Sequence, residues 1–90
     1  MKTIVAAAKF KKDLKRFANK PATLKKLYDV IKILENGDAL PSRNKPHMLI
    51  GDYKGFMECH IENDTLLIWL DESNDIIKLV RFGSHSELFK

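Results

Sequence analysis

The chain has 90 residues, 44% of them apolar and 31% charged, with a net charge of +4. That length holds a single hydrophobic core, so two separately folded halves are excluded and one domain over residues 1–90 is expected. The apolar content is too high and the net charge too low for a disordered chain.

Residues 2–6 form a short β-branched run and predict a first strand. Over residues 9–19, Phe10, Leu14 and Phe17 recur at i, i+4 and i+7, which predicts an amphipathic, basic helix with Lys11, Lys12, Lys15 and Arg16 around it. Pro21 breaks that pattern. A second helix follows, with Leu24, Leu27, Tyr28, Ile31 and Leu34 on one inward stripe and Gly37 placed as its C-terminal cap.

Residues 38–46 hold both remaining prolines and predict a loop. Beyond them the period becomes strand-like: strands over 47–50, 56–61, 66–70 and 76–82, separated by turns over 51–55, 62–64 and 71–75. The order is β-α-α-β-β-β-β. Hairpin-length connections make the last four strands an antiparallel meander, and the helical hairpin crosses one face of a twisted, mainly antiparallel sheet. The predicted class is α+β. Strand alternation turns Met57, Cys59 and Ile61 toward the helices and leaves Phe56, Glu58 and His60 on an open face.

Charge is segregated. Residues 1–45 carry twelve Lys/Arg and four Asp/Glu, a net +8, whereas residues 46–90 carry four and eight, a net −4. An anionic partner, nucleic acid being the commonest, and a solvated lysine-rich helix face both account for such a field. The lone Cys59 cannot close an internal disulfide. The apolar run after Thr3 is stopped by Lys9, too early for a signal-peptide core or a membrane span, so the expected compartment is the cytoplasm.

All three histidines lie in the second half, near strand ends: His47, His60 and His85. Asp64 sits in the turn after His60, and Arg81 at the end of the last strand. Imidazoles, a carboxylate and a guanidinium meet the needs of phosphodiester cleavage without a metal. A base takes the 2′-hydroxyl proton, an acid protonates the departing 5′-oxygen, and a fixed cation stabilises the charge developing on phosphorus oxygens. Free histidine titrates near pH 6.5 and serves in either proton role. Each residue also has a plainer reading. A histidine is often a surface or hydrogen-bonded structural residue, Arg81 can pair with Asp64 or Glu58 on the sheet surface, and Asp64 suits a turn in its own right. A metal site of His47, His60, His85 and Cys59 is disfavoured, because adjacent Cys59 and His60 point to opposite faces of a strand and no i, i+4 His pair is present.

Four segments carry a family resemblance. They are His47-Met48-Leu49-Ile50-Gly51-Asp52-Tyr53-Lys54-Gly55-Phe56, His60-Ile61-Glu62-Asn63-Asp64, Leu66-Leu67-Ile68-Trp69, and Arg81-Phe82-Gly83-Ser84-His85-Ser86-Glu87-Leu88-Phe89. In this order and spacing the second half resembles the RelE/YafQ-type toxins of bacterial toxin–antitoxin modules, most closely the YafQ branch. The last segment, a strand ending in Arg followed by G-[ST]-H-x-x-L-F, is the most specific.

The resemblance implies a RelE/ParE-like fold and a ribosome-dependent messenger-RNA endonuclease. Such an enzyme cuts in the A site by 2′-hydroxyl attack, without a metal or other cofactor, and is a monomeric toxin held inactive in a hetero-oligomer by a cognate antitoxin. It assigns catalysis to His47, His60, Asp64, Arg81 and His85. His85 is the general acid, Asp64 and His60 handle the nucleophile's proton, Arg81 holds the phosphate, and His47 positions substrate or a neighbouring side chain. Phe89 orders the nucleotide or the C-terminal turn, and Lys54 adds charge in the substrate site. Lys9, Lys11, Lys12, Lys15 and Arg16, with Lys20, Lys25 and Lys26, then contact ribosomal RNA phosphates. Two positions depart from the pattern: Met57 stands where relatives commonly carry arginine, and Thr65 where an aromatic follows the turn aspartate. The competing expectation is a non-catalytic protein of the same fold, which binds an antitoxin or poisons a target such as gyrase.

Overall fold

The computed structural model describes residues 1–73 and 75–89. In chain order the elements are β1 (Thr3–Ala6), α1 (Ala8–Lys15), α2 (Pro21–Glu35), β2 (His47–Met48), β3 (Met57–Glu62), β4 (Thr65–Ser73), β5 (Ile76–Ser84) and α3 (His85–Leu88). Short 3₁₀ turns occupy Ser42–Asn44 and Gly51–Tyr53. The strands make one sheet in the order β1-β5-β4-β3-β2. β1 pairs with β5 in parallel, and every other pairing is antiparallel. The expected α+β class and mainly antiparallel sheet are what the chain adopts.

α1 packs on β5 and α2 on β3. From that side Phe10, Phe17, Leu27, Val30 and Leu34 close over Cys59, Ile61, Leu67, Trp69, Ile77, Leu79 and Phe82. α2 starts at Pro21, whose missing N–H falls where a helix has no internal acceptor anyway. Its end is a Schellman pair: Gly37 N–H donates to the Leu34 carbonyl at 3.0 Å and Asp38 N–H to that of Ile33 at 3.2 Å. This closure needs the left-handed φ of +78° that Gly37 supplies.

Several expectations are corrected. α1 stops at Lys15, and residues 16–19 turn rather than continue the helix. The buried stripe of α2 is Thr23, Leu27, Val30 and Leu34, while Tyr28 is 54% exposed, because the 3.6-residue period carries position 28 off the inward face. β2 is only two residues long. The last two strands are longer than predicted: Ser73 pairs with Ile76, leaving little of a turn over 71–75, and Asn74 lies outside the described residues. β5 runs on to Ser84, and α3 was not expected at all.

Met57, Cys59 and Ile61 face the helices as alternation requires. The opposite face, expected to be open, carries a second small core: Leu88 of α3 packs on Leu66 and Ile68, ringed by Leu49, Phe56, Val80 and Phe89. A bulge in β5 shapes this face. Ile68 lies opposite Arg81 and Trp69 opposite Leu79, so Val80 is the extra residue. The bulge lets Leu79 and Phe82, three apart, both enter the helix-side core, and it re-aims Arg81 between them. Cys59 is fully buried, and desolvation, helped by Glu58, pushes its thiol up to about 12. Iodoacetamide is therefore expected to label the chain at pH 8 only after unfolding in urea; labelling of the folded protein would contradict this placement.

Candidate active site

The face opposite α1 and α2 gathers most of the residues singled out above. Paired positions share a face, so the registers His47–Glu58, Glu58–Ile68 and Ile68–Arg81 place these four in one row across the sheet. His60 lies two residues along β3 from Glu58, on the same face. The His47 ring is bonded on both sides: Nδ1 to the Lys45 carbonyl at 2.8 Å and Nε2 to Glu58 Oε1 at 3.1 Å. A carbonyl and a carboxylate both only accept, so the two contacts hold together when both ring nitrogens carry protons. Lys45 adopts φ 49°, ψ 52°, a left-handed conformation unusual for lysine, in the turn that presents this carbonyl. His47 thus reaches the buried Glu58 on the same face.

Arg81 pairs with neither Asp64 nor Glu58. Its partner is Asp13 of α1: Nε donates to Oδ2 at 2.8 Å and Nη2 to Oδ1 at 3.2 Å. Asp13 is 2% exposed and also accepts the Phe82 main-chain N–H at 2.9 Å and Arg16 Nη2 at 2.7 Å. The Asp13 carboxylate, through its hydrogen bonds first and its charge second, holds the Arg81 guanidinium more firmly protonated than usual. Sequence reasoning missed Asp13, although a signal existed. It is the sole carboxylate in the first 28 residues, three after Phe10 and four before Phe17, on the apolar stripe itself. A charge in that position requires buried partners.

The C-terminal turn is built by a capping box. Ser84 Oγ accepts the Glu87 N–H at 3.2 Å, and Glu87 Oε1 accepts the Ser84 N–H at 2.8 Å. Gly83 permits the close return, since a Cβ there would stand 3.0 Å from Glu87 Oε1. His85 is the first residue of α3, and its N–H donates to Asp64 Oδ1 at 3.4 Å, so Asp64 steadies the main chain that carries His85. The His85 ring lies 4.9 Å from that of Phe89, Phe89 stands edge-on to Tyr53 at 5.4 Å, and Tyr53 edge-on to Phe56 at 6.2 Å. This aromatic row is a surface on which a base can stack. Tyr53 belongs to it and was missed, its turn position giving no periodic signal.

The Ser84 main-chain N–H, then the Ser84 hydroxyl, then Arg16 lower the Glu87 carboxyl below the ordinary 4.5. A lowered acid contributes stability that is present above pH 4.5 and lost as pH falls through the folded value. The Ser84 amide is therefore expected to titrate with a midpoint below 4.5 by NMR; a midpoint at or above 4.5 contradicts the capping box.

The remaining predicted residues are more scattered. Lys54 is exposed in the 51–55 turn next to Tyr53. His60 is half-buried and borders a cleft of about 190 Å³ with Arg43, Lys45, Glu62 and Asn63. Asn44 fixes this edge by donating to the His60 carbonyl at 2.8 Å. Lys9, Lys11, Lys12 and Lys15 are exposed on α1, whereas Arg16 is drawn to Asp13 and, at 3.6 Å, to Glu87. Lys26 pairs with Glu62 at 3.0 Å and Lys25 with Asp29 at 3.2 Å. A larger cleft of about 390 Å³, lined by Leu34, Leu40, Trp69 and Ile77 among others, opens on the helix side, away from the histidines. No helix among the described residues is long and apolar enough to cross a membrane.

A two-helix layer on a five-stranded sheet, with histidines on the opposite face and a guanidinium at the edge of β5 held by α1, defines a small α+β protein with a polar site on its sheet. The model of the YafQ family, bacterial toxins of type II toxin–antitoxin systems, matches residues 2–90, and the chain belongs to that family. It is 30% identical over 84 residues to the mRNA interferase toxin YafQ of Escherichia coli K12, covering 92% of this chain and 90% of that one. In the crystal structure of the E. coli DinJ–YafQ complex a chain 28% identical superposes with a TM-score of 0.87, covering both chains fully. The putative toxin YafQ of Haemophilus influenzae is 34% identical over 69% of this chain, and the match spans 64% of the relative's length. A metal-bound toxin from Helicobacter pylori is 42% identical with a TM-score of 0.89, covering 99% and 100%. In the present chain no three His, Cys, Asp or Glu side chains among the described residues stand close enough to share an ion.

Proposed function

We propose that this toxin is a ribosome-dependent endoribonuclease that cleaves mRNA in the A site by attack of a ribose 2′-hydroxyl, without a metal. The observation that carries this reading is the capping box, which sets His85 at the tip of α3, against Phe89 and on the sheet face that also carries Arg81. The family and the E. coli relative's name as an mRNA interferase support the substrate class.

In the proposed step the 2′-oxygen forms a bond to phosphorus as its proton passes to a base, and the bond from phosphorus to the 5′-oxygen breaks. His85 gives its proton to that leaving oxygen, yielding a 2′,3′-cyclic phosphate and a 5′-hydroxyl. His60 is the candidate base. Asp64 steadies His85 through its main chain, a narrower role than handling the nucleophile's proton. Arg81 faces the phosphate, His47 holds Glu58, and Phe89 with Tyr53 offers the stacking surface. Met57 packs toward the helix-side core, so an arginine at that position would not lie in the row of Glu58 and Arg81. Lys9, Lys11, Lys12 and Lys15 contact ribosomal RNA, and Lys54 adds charge beside Tyr53. The partner that silences the toxin is an acidic antitoxin, as DinJ is seen in complex with E. coli YafQ. Toxin, ribosome and antitoxin then share the cytoplasm.

Expression without an antitoxin is expected to stop growth and protein synthesis. Arg81→Ala removes a charge-stabilising donor worth about 10²–10³ in rate and is expected to relieve the arrest, with circular dichroism checking that the chain, whose buried Asp13 keeps Arg16 and the Phe82 N–H as partners, is folded. A fully toxic, folded Arg81→Ala protein contradicts the reading. So does growth arrest with intact translation and impaired supercoiling, the signature of a gyrase poison.

A further inference from the structure

We propose that Asp13 is a positioning residue for the cleavage step, aiming the Arg81 guanidinium at the scissile phosphate and locking it to the helix that carries His85. This rests on the nuclease reading above.

β1 pairs with β5 only as far as Leu79, so the Phe82 N–H lies beyond the pairing, under α1, and needs an acceptor. A neutral oxygen would serve that purpose. The chain instead places a buried carboxylate there and closes two arginines on it, from β5 and from the turn that ends α1. Burying a charge is costly unless every lone pair is used, so this choice exceeds what the edge requires.

The geometry shows what the extra charge does. Asp13 engages Arg81 side-on, through Nε and Nη2. That fixes the plane of the guanidinium and leaves the remaining donors, those of Nη1 among them, on the opposite edge. An arginine so held keeps its fork in one orientation before substrate arrives, which is the condition for stabilising charge without reorganisation. The second arm reaches further: Arg16, bonded to Asp13 at 2.7 Å, also lies 3.6 Å from Glu87, the residue that closes the α3 capping box. One carboxylate on α1 thereby connects the phosphate-facing cation with the turn that carries the general acid.

The test is a double-mutant cycle in single-turnover cleavage on mRNA-programmed ribosomes, with wild type, Asp13→Asn, Arg81→Ala and the double variant, each verified as folded. Asp13→Asn keeps an oxygen for Phe82 N–H. It is expected to slow cleavage at saturating toxin by about tenfold or more, with ribosome affinity changed less than about twofold. In the Arg81→Ala background the same substitution changes the rate by less than about twofold. An equal loss in both backgrounds, or no loss in the wild type, overturns the proposal.

A second measurement does not depend on a folded variant. The Arg81 Nε–H of the wild-type chain is expected to exchange with solvent far more slowly than those of exposed arginines; exchange at their rate overturns the proposal. A wild-type chain that cuts nothing contradicts the nuclease reading instead, and the Nε–H measurement still decides whether Asp13 holds Arg81.

Discussion

His85→Ala is expected to reduce single-turnover cleavage by about 10²–10⁴-fold, the usual contribution of a placed general acid, with little change in thermal stability. The two effects separate because of where the side chain sits. α3 is held by Leu88 in the second core, by the Ser84–Glu87 box and by the Asp64 contact to the His85 main chain, none of which uses the imidazole. The ring itself is exposed, with Phe89 at 4.9 Å as its neighbour. Removing it deletes a proton donor and leaves the turn standing. Cleavage within about twofold of wild type assigns the acid elsewhere; loss of fold shows that the imidazole supports α3 more than these contacts indicate.

Phe82→Ala carries the largest expected effect on stability. Phe82 is fully buried, with its ring 4.5 Å from that of Phe17 and 6.4 Å from Phe10, so it joins β5 to α1 and to the turn that follows it. Truncating such a ring costs about 3–5 kcal/mol, because the cavity only partly collapses. A domain of this size has roughly 5–10 kcal/mol in total, so the melting temperature is expected to fall by on the order of 15–30 °C. The damage is not confined to packing, since the Phe82 N–H is one of the groups that anchor Asp13. A fall of only a few degrees in a thermal melt shows that α1 can close the gap.

The features legible in the sequence are those with local physical signatures. Pro21 and Gly37 mark the two ends of α2 because each supplies a backbone property that no other residue gives so cheaply. Alternation along β3 separates Cys59 from His60 because strand geometry leaves no choice. His47, His60, Asp64, Arg81 and His85 were gathered from residue type and their places near strand ends, while Phe89 and the separate roles came from a family pattern, which carries identity and spacing but no partners.

What was hidden is long-range or too short to have a period. Asp13 and Arg81 are 68 positions apart, and only the folded chain shows that α1 covers the edge of β5 beyond β1. The bulge at Val80 depends on matching two strands. α3 has four residues, fewer than two turns, so no hydrophobic period could reveal it; its Ser-x-x-Glu box was the readable sign. Tyr28 illustrates the opposite error, an aromatic counted as core that a helical turn carries into solvent.

Ribosomes programmed with a defined mRNA decide whether this chain is a nuclease that uses the ribose 2′-hydroxyl and its own side chains. The messages carry either a ribose or a 2′-deoxyribose 5′ to the cut, and cleavage is followed in EDTA. The all-ribose message is expected to be cut in EDTA, with a 2′,3′-cyclic phosphate end, and the deoxy position to stay intact. Cleavage that EDTA abolishes, or that proceeds past the missing 2′-hydroxyl, contradicts this chemistry.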